Sequence, residues 1–240
     1  MLNNLISSKG LAHQTKWVFM LALFTVLALR QIALTDSNPP LPDLTIDAAR
    51  LQSSIVFKTA MFKSTDCALA EADKCVNAAG KRTLMKFDVA IPNIGNADFI
   101  LGDPTKKPAL FTFSPCHGHY HLLGFASYEL LDASGATVLT GRKQAFCLED
   151  FAQYYANAAP AKYTCGNQGI SVGWEDIYGG YLDCQWLDVT DVPPGNYTLR
   201  VIVNAKAYAV SGAGVDAALK ESNYVNNVAV VPVKIGAKGK

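Results

Sequence analysis

The chain predicts an all-β domain, an antiparallel β-sandwich with long functional loops, preceded by an N-terminal hydrophobic helix. Three observations predict it. Tyr197, Leu199, Val201 and Val203 alternate with Thr198, Arg200 and Ile202, the period of a half-buried strand. Phe87, Val89 and Ile91 alternate in the same way with Asp88 and Ala90. Helical periodicity is nearly absent beyond the first 35 residues, apart from residues 214 to 221.

The elements follow in order. Lys9 and Lys16 precede a run from Trp17 to Leu29 that is apolar except at Thr25. A basic stretch before such a run reads as an export signal over residues 1–35, or as a signal anchor if residues 17–34 stay in the membrane. Residues 36–42 carry Pro39, Pro40 and Pro42 and read as an extended linker. The domain proper is expected over residues 43–236, with residues 237–240 as a tail. Strands are expected at Ser54 to Phe62, Thr83 to Ile91, Phe99 to Leu101, within His119 to Leu131 and at Gln144 to Leu148. Residues 151 to 181 show little periodicity and read as a long functional loop. Pro193-Pro194-Gly195-Asn196 is a turn, and Val228 to Ile235 reads as a last strand. Pro232 cannot donate to a ladder, so that strand belongs at a sheet edge or is bulged there.

Composition narrows the function. Of the 240 residues, half are hydrophobic and 17% are charged, which is globular rather than disordered. The formal charge is +1, and without residues 1–35 it is −2, with 18 basic against 20 acidic residues. Neither value supplies the basic face that a nucleic-acid partner needs. Six cysteines, at 67, 75, 116, 147, 165 and 184, all follow the export segment. An even count in an exported chain predicts three disulfides, with 15 possible connectivities. Cys67 and Cys75 bracket a loop short enough for one bond to close.

Three of the four histidines stand at His117, His119 and His121. Alternate strand residues share a face, so the three imidazoles project together. The outer two would stand ~13 Å apart on a flat strand, so the strand must curl, and Gly118 is the place for it. Three neutral imidazoles suit Cu(II) or Zn(II), copper binding the more tightly. Three protein ligands leave a position open, as in a catalytic site.

At this cluster the chain resembles a known family. Cys116-His117-Gly118-His119-Tyr120-His121 resembles the copper-binding motif of lysyl oxidases. Gly141 to Asp150 resembles the segment that carries the lysine of that family's built-in quinone, and Asp176-Ile177-Tyr178-Gly179 the segment that carries its tyrosine. Asp183 to Val192, Pro194 to Tyr197 and Glu221 to Asn227 follow the family closely, and the likeness spans roughly residues 43 to 233. The resemblance implies Cu2+ held by the three histidines and a lysyl tyrosylquinone formed from Lys143 and Tyr178. It implies oxidative deamination of a primary amine, free or as a protein lysine, consuming dioxygen and releasing an aldehyde, ammonia and hydrogen peroxide. The export segment and the even cysteine count imply an extracytoplasmic location, secreted or periplasmic. A carboxylate is expected as proton acceptor, with Asp176, Asp183 and Asp188 as candidates.

The resemblance further implies pairing of Cys67 with Cys75 and of Cys116 with Cys165. The family partners of Cys147 and Cys184 are missing, one of them replaced by Trp174, which leaves these two to pair with each other. Two other readings compete. One is a metal-binding β-sandwich for adhesion or binding that never matures its quinone. The other is a hydrolase in which zinc activates water.

Overall fold

The computed structural model describes residues 39–70, 74–122, 124–141, 147–209 and 219–237. The chain divides into two compact units, Met1–Pro39 and Pro40–Lys240. The expected N-terminal hydrophobic helix, Lys143, most of the strand expected at 144–148 and most of the residues 214 to 221 with helical periodicity lie outside the described residues. Among the described residues no helix is long and apolar enough to cross a membrane.

The strands are antiparallel throughout. The largest sheet has four, in the order β14 (Val228–Ile235), β13 (Gly195–Val203), β7 (Ala126–Leu131) and β8 (Thr137–Thr140). Its sequence alternation becomes alternation in burial. Leu199, Val201 and Val203 of β13 and Ala229, Val231, Val233 and Ile235 of β14 all turn into the core. Burying each such branched side chain stabilises the fold by roughly 1.5–3 kcal/mol. Pro232 is exposed opposite Thr198, and β14 ends the sheet, where a missing N–H is tolerated.

The expected sandwich gives way to several small sheets around one core. β1 (Val56–Phe62), β2 (Gly80–Lys86) and β12 (Trp186–Asp188) form one, and β3 (Val89–Pro92), β11 (Trp174–Tyr178) and β9 (Ala152–Gln153) another. β4 (Phe99–Gly102) pairs with β10 (Gln168–Ile170), and β5 (Phe111–Ser114) with β6 (His119–Leu122). Apart from β1 and β2, of seven residues each, these strands have only two to five residues, too short to build two broad sheets.

Two expected strands change shape. Residues 48–54 form a helix, α1 (Ala48–Ser54), capped by the Asp47 carboxylate on the Arg50 N–H at 2.9 Å, so β1 starts later than expected. The run Thr83 to Ile91 breaks at Asp88 into β2 and β3, which belong to different sheets. Asp88 is held from three sides. Its N–H donates to Ser54 Oγ at 2.8 Å, and its carboxylate accepts from Gly180 N–H at 2.7 Å and Arg50 Nε at 3.1 Å. Residues 151 to 181, expected as loop, contain β9, β10 and β11.

The disulfides pair differently from the family-derived expectation. They join Cys67 with Cys116, Cys75 with Cys184 and Cys147 with Cys165. Cys75 is buried with Val76, Leu84, Cys184 and Trp186 in a small satellite core, and its carbonyl accepts from Trp186 Nε1 at 2.9 Å. Although Cys75 N–H donates to Ala68 O at 3.0 Å, beside Cys67, its sulfur bonds Cys184 within that core. Leu148 N–H donates to Gln168 Oε1 and Gly169 N–H to Leu148 O, both at 3.1 Å, which lays residue 147 beside residue 165. Cys116 is left to reach Cys67.

Candidate metal centre and cleft

The histidines sit on a hairpin. Ser114 of β5 pairs with His119 of β6, and residues 115–118 form the turn between them. Gly118 N–H donates to Ser114 O at 2.8 Å, and Gly118 adopts φ +71°, the left-handed region that favours glycine. The expected curl is therefore a full turn. His119 and His121 are alternate residues of β6, whereas His117 stands in the turn and is folded back toward them. His117 N–H donates to Ser114 Oγ at 3.2 Å.

The ring nitrogens converge. His117 Nδ1 lies 3.2 Å from His121 Nε2, which lies 3.1 Å from His119 Nε2. All three ligand atoms fall within 4.8 Å of one another. Two nitrogens each ~2.05 Å from one ion stand ~2.9–3.4 Å apart at angles of 90–110°. The two close separations fit that spacing, so the donor set suits a divalent transition metal. His121 is buried and the other two are partly exposed, which leaves one side of the centre open to a cleft.

The cleft has a volume of about 450 Å³. Asp176 and Tyr178 line it together with the three imidazoles, being alternate residues of β11 on one face. The Tyr178 hydroxyl donates to Cys147 O at 2.7 Å and accepts from Cys147 N–H. This pair of hydrogen bonds to the backbone joins residues 31 positions apart. Burial, and the Asp176 carboxylate beside it, push the Tyr178 phenol well above its ordinary value.

Asp176 is 2% exposed, and among the described residues its Oδ2 has no hydrogen-bond partner. Burial, then the nearby Glu149 charge, push its carboxyl well above the usual range. The other two candidate carboxylates differ. Burial opposes charge on Asp188, but Asn77 N–H, Thr190 and Arg82 hydrogen-bond it and hold it below its ordinary value. Those partners occupy its oxygens. Asp183 lines the cleft but is exposed. Trp174 of β11 donates its indole N–H to Ala159 O at 2.7 Å.

Sequence reasoning missed two contributors. Glu149 lies in the cleft wall, although nothing in its local sequence singles it out. Gln185, also in the wall, accepts from Tyr128 Oη at 3.1 Å and donates to Phe87 O at 3.3 Å, bracing the floor under Asp176 and Tyr178.

The geometry agrees with the comparisons with known proteins. The profile of the family described as Lysyl oxidase matches residues 42–237. Human "Lysyl oxidase homolog 1" is 37% identical over 199 residues, covering 78% of this chain and 32% of that protein. Human "Protein-lysine 6-oxidase" is 36% identical over 198 residues, covering 78% of this chain and 44% of its own length. Zebrafish (Danio rerio) "Lysyl oxidase homolog 3B" is 37% identical over 195 residues, covering 77% of this chain and 22% of its own. The chain thus spans less than half the length of these relatives. With a family match over nearly all of Pro40–Lys240, the chain belongs to the lysyl oxidase family.

Proposed function

We propose that the chain is a copper-dependent amine oxidase that deaminates primary amines, protein lysine among them. Each turnover converts R–CH2–NH2, O2 and H2O into R–CHO, NH3 and H2O2. His117, His119 and His121 would hold the copper, and Tyr178 with Lys143 would supply a lysyl tyrosylquinone. That group, when formed, accepts the two electrons and returns them to dioxygen.

The observation that carries the reading is the position of Tyr178. Its ring shares a cleft with three converging imidazoles, and its hydroxyl is tied to the backbone of Cys147. Lys143 precedes Cys147 by four residues, a path of at most ~15 Å along the chain. A lysine side chain adds its own reach to that path. Residues 35 apart in sequence are thus candidates for a crosslink.

The chain's own groups have separable tasks. Asp176 is the proton acceptor for the carbon next to the amine nitrogen, because its Oδ2 has no other partner among the described residues and burial makes the carboxylate basic. The Cys147 backbone fixes the Tyr178 ring against rotation. The three disulfides suit an oxidising, extracytoplasmic compartment, whether the chain is secreted, periplasmic or anchored through residues 17–34.

The test is mass spectrometry of the copper-loaded protein after proteolysis, which should find the peptides of Lys143 and Tyr178 covalently joined. Adding a primary amine should release peroxide, and Lys143→Arg should abolish both results. Full peroxide production by that variant would overturn the cofactor assignment. Asp176→Asn should keep the crosslink and lose turnover. A protein that binds metal but never crosslinks would be the non-catalytic binding module.

A further inference from the structure

We propose that the outer edge of β1 pairs with the same strand of a second copy of this chain, giving a two-fold dimer built on one continuous sheet. This contact lies outside the cleft and is independent of the amine-oxidase reading.

β1 hydrogen-bonds β2 in an unbroken register, from Val56 opposite Lys86 to Phe62 opposite Gly80. It ends its sheet, whose order is β1, β2, β12. Among the described residues nothing hydrogen-bonds its other side. A bare strand edge is a template for a further strand. None of the seven side chains of β1 is buried. Val56 is 45%, Phe57 39% and Met61 69% exposed, so the edge is apolar as well as open. Proteins guard such edges with proline, bulges or added charge. The other long terminal strand, β14, carries both Pro232 and Lys234. β1 has no proline, no bulge and a single charge, Lys58.

The pattern of β1 fits itself. In an antiparallel pair related by a two-fold axis, one residue stands opposite its own copy. With Thr59 on the axis, Phe57 faces Met61 and Val56 faces Phe62 of the second copy, and each pair occurs twice. Such apolar cross-strand pairs are what stabilise a sheet. Lys58 then faces Ala60, and the two lysines meet only on the diagonal, ~7–8 Å apart. The neighbouring registers are worse. With Lys58 on the axis, like charges stand directly opposite. With Ala60 on the axis, Lys58 faces Phe62 and Lys63 faces Phe57. Charge and apolar pattern together therefore select the Thr59 register and a second copy as occupant.

The experiment is analytical sedimentation of the full chain over a concentration series, which should show a monomer–dimer equilibrium. Phe57→Lys and Met61→Glu each remove two apolar pairs, and each should weaken the dimer about tenfold. Both side chains are exposed, so circular dichroism should stay that of the parent. Mixed in equal amounts, the two variants should form a heterodimer tighter than either homodimer, because the new lysine of one copy then faces the new glutamate of the other. A loss of folding could not produce that rescue. As a separate readout, Thr59→Cys should give a dimer whose peptide map contains a disulfide between the two copies of position 59. Thr137→Cys, on the exposed strand β8, should not dimerise in this way. A monomer at every concentration, a dimer that survives both single substitutions, or position 59 crosslinking no more than position 137 would overturn the pairing.

Discussion

Replacing Gly118 by alanine tests whether the turn geometry builds the metal centre. Gly118 has φ +71°, and an added Cβ would meet nothing within 4 Å. Steric collision is thus excluded, and only the backbone penalty remains. An L residue in the left-handed region costs roughly 1–2 kcal/mol. That strain can act in two places. If the metal-free turn keeps its shape, the strain is carried by folding, and the melting temperature falls ~2–8 °C for a domain of this size. If the metal-free turn relaxes, His117 swings away and must be drawn back on binding. Copper affinity then falls ~5–30-fold, with little change in the melting temperature of the metal-free protein. The two losses must add up to the same total. Thermal melting of the metal-free protein and competitive copper titration against a chelator measure them separately. Gly118→Asn, which tolerates the left-handed region better, should lie between parent and alanine variant. A Gly118→Ala protein equal to its parent in both measurements would refute the role of the turn.

Two further outcomes follow from the ion pairs. Arg82 is 8% exposed and reaches Asp188 at 2.9 Å and Asp191 at 2.8 Å, so Arg82→Ala leaves the buried Asp188 carboxylate without its cation. The expected loss is ~3 kcal/mol, the low end for a broken buried pair because Asn77 and Thr190 still serve Asp188. A urea midpoint equivalent to less than about 1 kcal/mol of loss would contradict it. Asp98 is the acid-sensitive case. Burial raises its carboxyl, but Lys162, the Val172 N–H and Tyr163 outweigh it and leave it below its ordinary 3.8. The stability it contributes is present above 3.8 and lost as pH falls through the lower folded value. Asp98→Asn should flatten the acid limb of a stability profile without changing its neutral plateau by more than the lost ion pair, and an unchanged acid limb would assign the transition to other carboxylates.

What was legible in the sequence was local. Alternation gave β13 and β14, and Pro232 gave the edge, because burial period and a missing N–H act on their own residues. The histidine triad was legible for the same reason. That it spans a turn rather than one strand was legible only as Gly118. The rest depends on distant partners. The break at Asp88 is made by Ser54 and Gly180, and the placement of Tyr178 by Cys147, and neither pair leaves a local pattern. The disulfide connectivity failed most clearly. Loop length favoured Cys67 with Cys75, whereas burial against Trp186 decided for Cys184. Family likeness supplied expected roles for residues but not the pairing that the structure shows.

The corrected pairing explains how such short strands support a site. Every disulfide has at least one cysteine in the cleft wall: Cys116 in one, Cys184 in another, and both Cys147 and Cys165 in the third. Each ties down a different wall. The bond to Cys116 holds the histidine turn, the bond to Cys184 holds the segment after Tyr178, and the Cys147–Cys165 bond holds the backbone to which the Tyr178 hydroxyl is attached. The main hydrophobic core contains none of these cysteines, and only Cys75 and Cys184 lie in the smaller satellite core. Constraining the loops directly is then the economical way to hold imidazoles, phenol and carboxylate in one geometry. It follows that reduction should loosen the cleft before it unfolds the sheets. Metal affinity should therefore fall at a lower concentration of reductant than the β-sheet signal in circular dichroism, and loss of the two together would place the disulfides in the folding core instead.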